Sequence, residues 1–255
     1  MLLNQVAISC YDALLALIYP QPCAVCGASV EQRDLGVACA NCWQQTSVFG
    51  GTETICWKCG QPSLGEVAAA DGASVRCHRC DEAHFTAARA CGVYEGALRA
   101  SVLNLKREPH VSSRLIEELV HQQQQPPLNR ATRIIPVPLH PERERERGFN
   151  QAVVIASELS RATGLPLDVV SLVRIMSVQR HRAGMDAKGR ADTVAGAFTV
   201  RHPALVAGER ILLIDDVFTT GATVSSCAQV LREAGALEVF VLTIARADTM
   251  SSSHL

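Results

Sequence analysis

Apolar residues are distributed unevenly along this chain. In the last third, Ile211-Leu212-Leu213-Ile214 is a run of branched residues with no polar alternation, the pattern of a central parallel strand covered on both faces. The run stops at Asp215-Asp216, passes through Thr219-Thr220-Gly221 and enters a helical stretch from Val224 to Ala234, closed by Gly235. A second apolar run, Val239 to Ile244, follows at the distance that a strand–helix–strand unit requires. Further upstream, Ile135-Pro136-Val137-Pro138 reads as a strand ending in a rigid turn, and Leu98, Val102 and Leu105 share one helix face that leads to Lys106. The predicted unit is a doubly wound α/β domain over 86–246, with the polar stretch Gln122 to Pro127 as a connection inside it and 247–255 as a disordered tail. Leu3, Val6, Leu14, Leu15, Leu17 and Ile18 predict a short amphipathic helix over 1–19. Residues 20–85 show neither period.

Composition sharpens this picture at three points. Of 255 residues, 48% are hydrophobic and 19% charged, so a buried core is expected and wholesale disorder is not. The net charge of −1 excludes a uniformly basic nucleic-acid coat, and 4% aromatic residues leave few rings for stacking on bases. No Lys or Arg precedes Arg33, and Asp12 interrupts the first apolar run, which predicts neither a secretory signal nor a membrane span. A cytoplasmic protein follows as the expectation.

In that reducing compartment, paired cysteines read as metal ligands rather than disulfides. Eight of the eleven cysteines fall into four Cys-x-x-Cys pairs: Cys23/Cys26, Cys39/Cys42, Cys56/Cys59 and Cys77/Cys80. The spacings are C-x2-C-x12-C-x2-C and C-x2-C-x17-C-x2-C, those of two zinc ribbons in series. Interleaved pairing, first with third and second with fourth, is an open alternative. With every position closed by Cys, the two Zn2+ ions are structural, and His78 and His84 read as solvated loop residues. The ribbons are expected to have a core separate from that of the α/β domain.

The stretch from Ile211 to Thr223 carries a second kind of chemistry. Ligands of open α/β sheets sit at the carboxyl ends of strands. The backbone N–H groups of Thr219-Thr220-Gly221-Ala222-Thr223, opening a helix, form an anion nest reinforced by the helix dipole. Two carboxylates just before it accept hydrogen bonds from a vicinal diol. The implied ligand is a ribose 5-phosphate, with its hydroxyls on Asp215 and Asp216 and its phosphate in the turn 219–223. Segment 174–190 holds Arg174, Arg180, Arg182, Lys188 and Arg190 against Asp186, with Gly184 and Gly189. It reads either as a lid that brings cations onto a pyrophosphate or as a solvated surface loop.

The strand, its two acids and the Thr-Thr-Gly turn resemble the phosphoribosyl-pyrophosphate motif of type I phosphoribosyltransferases. Together with Ile135 to His140, Arg147-Gly148-Phe149-Asn150-Gln151, Tyr94-Glu95-Gly96 and the Cys pairs, they resemble the ComF family, linked to competence and DNA utilisation. The resemblance implies a type I phosphoribosyltransferase-like parallel sheet with helices on both faces, preceded by a double zinc ribbon at 20–85. It further implies contacts to phosphoribosyl pyrophosphate from Lys106, Pro136, Val137, Arg147, Arg182 and Arg190, with Mg2+ on the pyrophosphate and diol. The family's Arg-x-x-Asn-x-x-Gly-Ala-Phe has Thr193 in place of Asn. Two function classes follow: a phosphoribosyltransferase, or a binding module that contacts single-stranded DNA or DNA-uptake proteins. No catalytic base or acceptor signature is readable.

Overall fold

The computed structural model describes residues 21–51, 53–62, 75, 77–175 and 196–247. The helix expected at 1–19, Arg182, Arg190, Thr193 and the tail from 248 lie outside these residues.

The described chain opens on the first Cys-x-x-Cys turn, continues to a second that leads into the short helix α1 (Ala40–Gln44), and then reaches the third and fourth. The α/β domain follows as β1 (Ala87–Val93), α2 (Gly96–Leu105), α3 (Ser113–Gln124), β2 (Arg133–Pro136), α4 (Pro141–Arg147) and α5 (Gln151–Thr163). It continues with β3 (Leu172–Arg174), β4 (Phe198–Val200), β5 (Arg210–Phe218), α6 (Ala222–Glu233) and β6 (Glu238–Arg246). Helix α3 runs through Gln122 to Gln124, where the polarity predicts a connection, because Gln122 is buried and its Nε2 donates to the Phe49 carbonyl at 2.7 Å.

β1, β6, β5 and β2 lie in that order and every neighbouring pair is parallel. β3 and β4 form a separate antiparallel pair. The unbroken apolar runs are explained by two cores, one on each face of the sheet. Leu212, Ile214, Phe240 and Leu242 enter one, with Leu98, Leu115, Ile155 and Leu159 of the helices. Ile211, Leu213, Val239 and Val241 enter the other, with Phe198, Val224 and Leu231. This is the period-2 alternation of a strand, masked because both faces are apolar.

Among the described residues the ribbons have no core of their own, contrary to the expectation from sequence. Cys23, Val30, Ala38, Cys42 and Trp43 of the first join the core that holds Leu98 and Leu212. Cys56, Cys59, Cys80 and Phe85 of the second join the opposite core, with Leu213 and Val241. The physical reason is the ribbons' own poverty in apolar residues, which are buried only against the sheet. The link between the ribbons pairs with β1: Phe49 N–H donates to the Cys91 carbonyl at 2.7 Å, and Val93 N–H to the Ser47 carbonyl at 3.0 Å. Gly92 permits this approach, since a Cβ there would stand 2.2 Å from the Ser47 oxygen.

Candidate functional site

The two four-cysteine groups are closed and sequential. Cys23, Cys26, Cys39 and Cys42 have all their Sγ atoms within 4.8 Å of one another, and so do Cys56, Cys59, Cys77 and Cys80. This decides against interleaved pairing. The Cys23–Cys42, Cys26–Cys39 and Cys56–Cys80 sulfurs are each 3.7 Å apart, close to the roughly 3.8 Å edge of a tetrahedron with Zn–S bonds of about 2.3 Å. Backbone N–H groups of Val25 and Cys39 point at Cys23 Sγ, at 3.4 and 3.3 Å, and that of Cys77 at Cys56 Sγ at 3.3 Å. Burial raises the Cys23 thiol, yet the backbone N–H groups of Cys26, Cys39 and Val25 outweigh it and bring it down to about 6. Donor set, spacing and thiolate stabilisation fit two structural zinc sites.

The second site lies at the carboxyl end of β5. The strand does not stop at the two acids. It runs through them to Phe218, with Asp215 opposite Thr243 and Phe218 opposite Arg246 in β6. Successive strand residues face opposite ways, so the two carboxylates separate. Asp216 turns toward α5 and the end of α2, where its Oδ2 accepts from Gln151 Nε2 at 3.1 Å and lies 3.6 Å from Lys106 Nζ. Arg147 donates in turn to Gln151 Oε1. Asp215 lies toward Cys227 of α6, whose thiol is pushed up by burial and then by the Asp215 charge. Burial first, then the Asp216 charge, pushes the Asp215 carboxyl up to about 7, against the Asp216 N–H at 2.9 Å and the Lys106 charge.

Beyond Phe218 the chain turns through exposed Thr219 and Thr220 and enters α6 at Gly221, whose φ is +80°. A Cβ on Gly221 would stand 2.7 Å from Cζ of the Phe218 ring, so glycine is required both by conformation and by space. Thr220 Oγ1 accepts from Ala222 N–H at 3.4 Å, and Ala222 and Thr223 form the first turn of α6. The N–H groups of this turn have no partner within the helix.

The structure thus brings Lys106, Arg147, Asp215, Asp216 and the 219–223 turn to one end of the sheet. Pro136 ends β2, paired with Ile214 of β5, and Val137 follows it. Both are buried; Val137 N–H donates to the Ile214 carbonyl at 2.8 Å and its carbonyl accepts from Asn150 Nδ2 at 3.0 Å. Arg182 and Arg190 fall outside the described residues, but the ends of their segment meet: Ile175 N–H donates to the Ala197 carbonyl at 2.9 Å. Sequence reasoning missed Gln151 and Asn150 as working residues. The signal was their place at the start of a helix just after Arg147-Gly148, where Asn150 Oδ1 caps Ala152 N–H at 2.9 Å.

Residues 14–81 match the family described as double zinc ribbon domain, and 149–252 match phosphoribosyl transferase domain. Competence protein F of Haemophilus influenzae is 37% identical over 121 residues, covering 45% of this chain and 50% of that protein. DNA utilization protein YhgH of Salmonella typhimurium is 29% identical over 242 residues, covering 91% of this chain and 93% of its own length. Competence protein ComFC of Bacillus subtilis is 34% identical over 102 residues, covering 40% and 39%. The chain therefore aligns with half of the Haemophilus relative and nearly all of the Salmonella one. Among the described residues, no helix is long and apolar enough to cross a membrane.

Proposed function

Because the chain belongs to the ComF family, a double zinc ribbon ahead of a phosphoribosyltransferase domain, we propose that it binds phosphoribosyl pyrophosphate with Mg2+ and transfers the phosphoribosyl group. The observation that carries this reading is the pairing of a carboxylate, Asp216, with an anion nest at the end of the same strand. Asp216 is already oriented by Gln151 and Lys106. Carboxylates accept from ribose hydroxyls, while the N–H groups and dipole at the start of α6 favour only an anion. The ligand therefore has one polarity: diol toward Asp216 and Asp215, 5-phosphate in the turn 219–223.

Transfer breaks the bond between C1 and the pyrophosphate oxygen, and the electron pair leaves with pyrophosphate. The lone pair of an acceptor closes on C1. Mg2+, held with the ligand beside Asp215 and Asp216, would supply neutralisation of the leaving group's charge. The protein's own part is positioning and charge. Asp216 fixes the ribose, the turn fixes its phosphate, and Lys106 offsets the carboxylates on the face where the ligand would lie. Arg147 holds Gln151, and through it Asp216, at the edge of the ligand's place.

Relatives named for competence and for DNA utilisation support the role we infer for this chain, in the uptake or use of DNA. Calorimetry of the zinc-loaded full chain with phosphoribosyl pyrophosphate, with and without Mg2+, tests the ligand. Magnesium-dependent binding is expected. No heat at millimolar ligand would overturn the reading and leave the DNA-binding module, recognised by a steep salt dependence of single-strand affinity.

A further inference from the structure

A buried arginine bridges the second zinc ribbon and the phosphate turn. Arg246, the last residue of β6, is 4% exposed. Its guanidinium donates to the Cys59 carbonyl and, at 2.8 Å, to Gln61 Oε1, both in the third Cys-x-x-Cys turn. Its Nε is buried with no hydrogen-bond partner. The same guanidinium lies 4.9 Å from the centroid of the Phe218 ring, its cross-strand neighbour. That ring is the surface against which Gly221 closes, and Phe85, from the end of the second ribbon, meets it edge-on at 5.9 Å. Arg89 of β1 donates to the Trp57 carbonyl at 3.0 Å. Four thiolates around one Zn2+ carry a net charge of −2, and two guanidiniums reach this one turn, one of them bridging to the sugar-phosphate side. A buried arginine with its donors committed on one side and its π face on the other has few alternative places to go.

We propose that Arg246 is a positioning residue that couples the Cys56–Cys80 zinc site to the 218–221 turn, so that phosphate binding and zinc retention stabilise each other. The proposal rests on the phosphate reading of that turn. Coupling between two sites is reciprocal, which gives it a readout other than activity. The full zinc-loaded chain is challenged with a chromophoric chelator, with and without saturating ribose 5-phosphate. Freed thiols are alkylated and located by mass spectrometry. Ribose 5-phosphate should slow labelling of Cys56, Cys59, Cys77 and Cys80 by about fivefold, the lower end of ordinary coupling, and leave Cys23, Cys26, Cys39 and Cys42 unchanged. Arg246→Ala should abolish the difference while calorimetry still shows the sugar phosphate bound. Arg246→Lys, which keeps the charge, should retain part of it and serves if the alanine variant does not fold. Equal labelling of the second ribbon with and without bound ligand overturns the coupling. If ribose 5-phosphate does not bind wild type at all, the phosphate reading fails instead, and amide exchange over 218–224 decides the coupling. Exchange about tenfold faster once zinc is stripped from the second ribbon, in wild type but not in Arg246→Ala, supports it, and exchange unchanged by zinc removal overturns it.

Discussion

Asp216 and Gly221 are the two positions where a single substitution tests the site most directly. Asp216→Asn keeps the shape and the Gln151 contact but removes the charge facing Lys106. Binding of phosphoribosyl pyrophosphate should weaken by about 1–3 kcal/mol, the range for a hydrogen bond to a charged group. Gly221→Val should cost more, in stability as well as binding. The left-handed backbone alone costs roughly 1–2 kcal/mol for a side chain with Cβ, and that Cβ meets the Phe218 ring at 2.7 Å. Calorimetry and thermal unfolding of both variants check the order. Asp215 makes a pH prediction with two signs. Its folded carboxyl sits near 7, far above the ordinary 3.8, so the folded state holds the extra proton between those values. The stability this group contributes is complete below pH 3.8 and is lost as pH rises through about 7. Ligand affinity should run the other way, because the diol needs the carboxylate; binding at pH 6 should release protons, seen as a buffer-dependent calorimetric enthalpy. Asp215→Asn should flatten the pH dependence of both the melting temperature and the affinity.

The acids and the Thr-Thr-Gly turn were legible in the sequence because they are contiguous: an apolar run, two carboxylates and a helix start state their own geometry. Gln151 was not, since its role exists only once α5 packs beside β5 and delivers its amide to Asp216. Neither was the fusion of ribbons and sheet. Short Cys-rich turns have no period to show which face they bury, and the contact of Trp43 with the Leu98 core, or Phe85 with the opposite one, is tertiary. That fusion changes what a broken ribbon should do. Thr46, just after Cys42, donates to the Cys42 carbonyl at 2.7 Å and accepts from the N–H of Ala97, at the start of α2, at 2.9 Å. Cys42→Ser should therefore destabilise the sheet domain with the ribbon, in one transition. Tryptophan fluorescence and far-ultraviolet circular dichroism, followed through the same melt, should coincide. Two separated midpoints would show that the cores act independently after all.

On the scale of the whole chain, three features converge on the carboxyl ends of the parallel strands. The first ribbon and the second grip opposite faces of one sheet, the turn 219–223 opens between α6 and β5, and β4 packs against α6 with Arg174 over the Phe198 ring at 5.3 Å. The net charge of −1 hides an asymmetry: 174–190 carries five Lys or Arg residues and a single acid. Of the described residues on either side of it, Ile175 donates its N–H to the Ala197 carbonyl. The side of α6 that bears Cys227 senses the Arg174 charge. A pyrophosphate on C1 adds charge that a plain sugar phosphate lacks, and cations on a closing segment would act on that charge alone. Replacing Arg182 and Arg190 together by Ala should weaken phosphoribosyl pyrophosphate by at least tenfold, about 1.4 kcal/mol, and ribose 5-phosphate by much less. The comparison is decisive because both ligands share the diol and the 5-phosphate, so any general damage to Asp216 or the turn lowers them together. Equal loss for the two ligands would assign the arginines to the surface and leave the pyrophosphate to Lys106 and Mg2+.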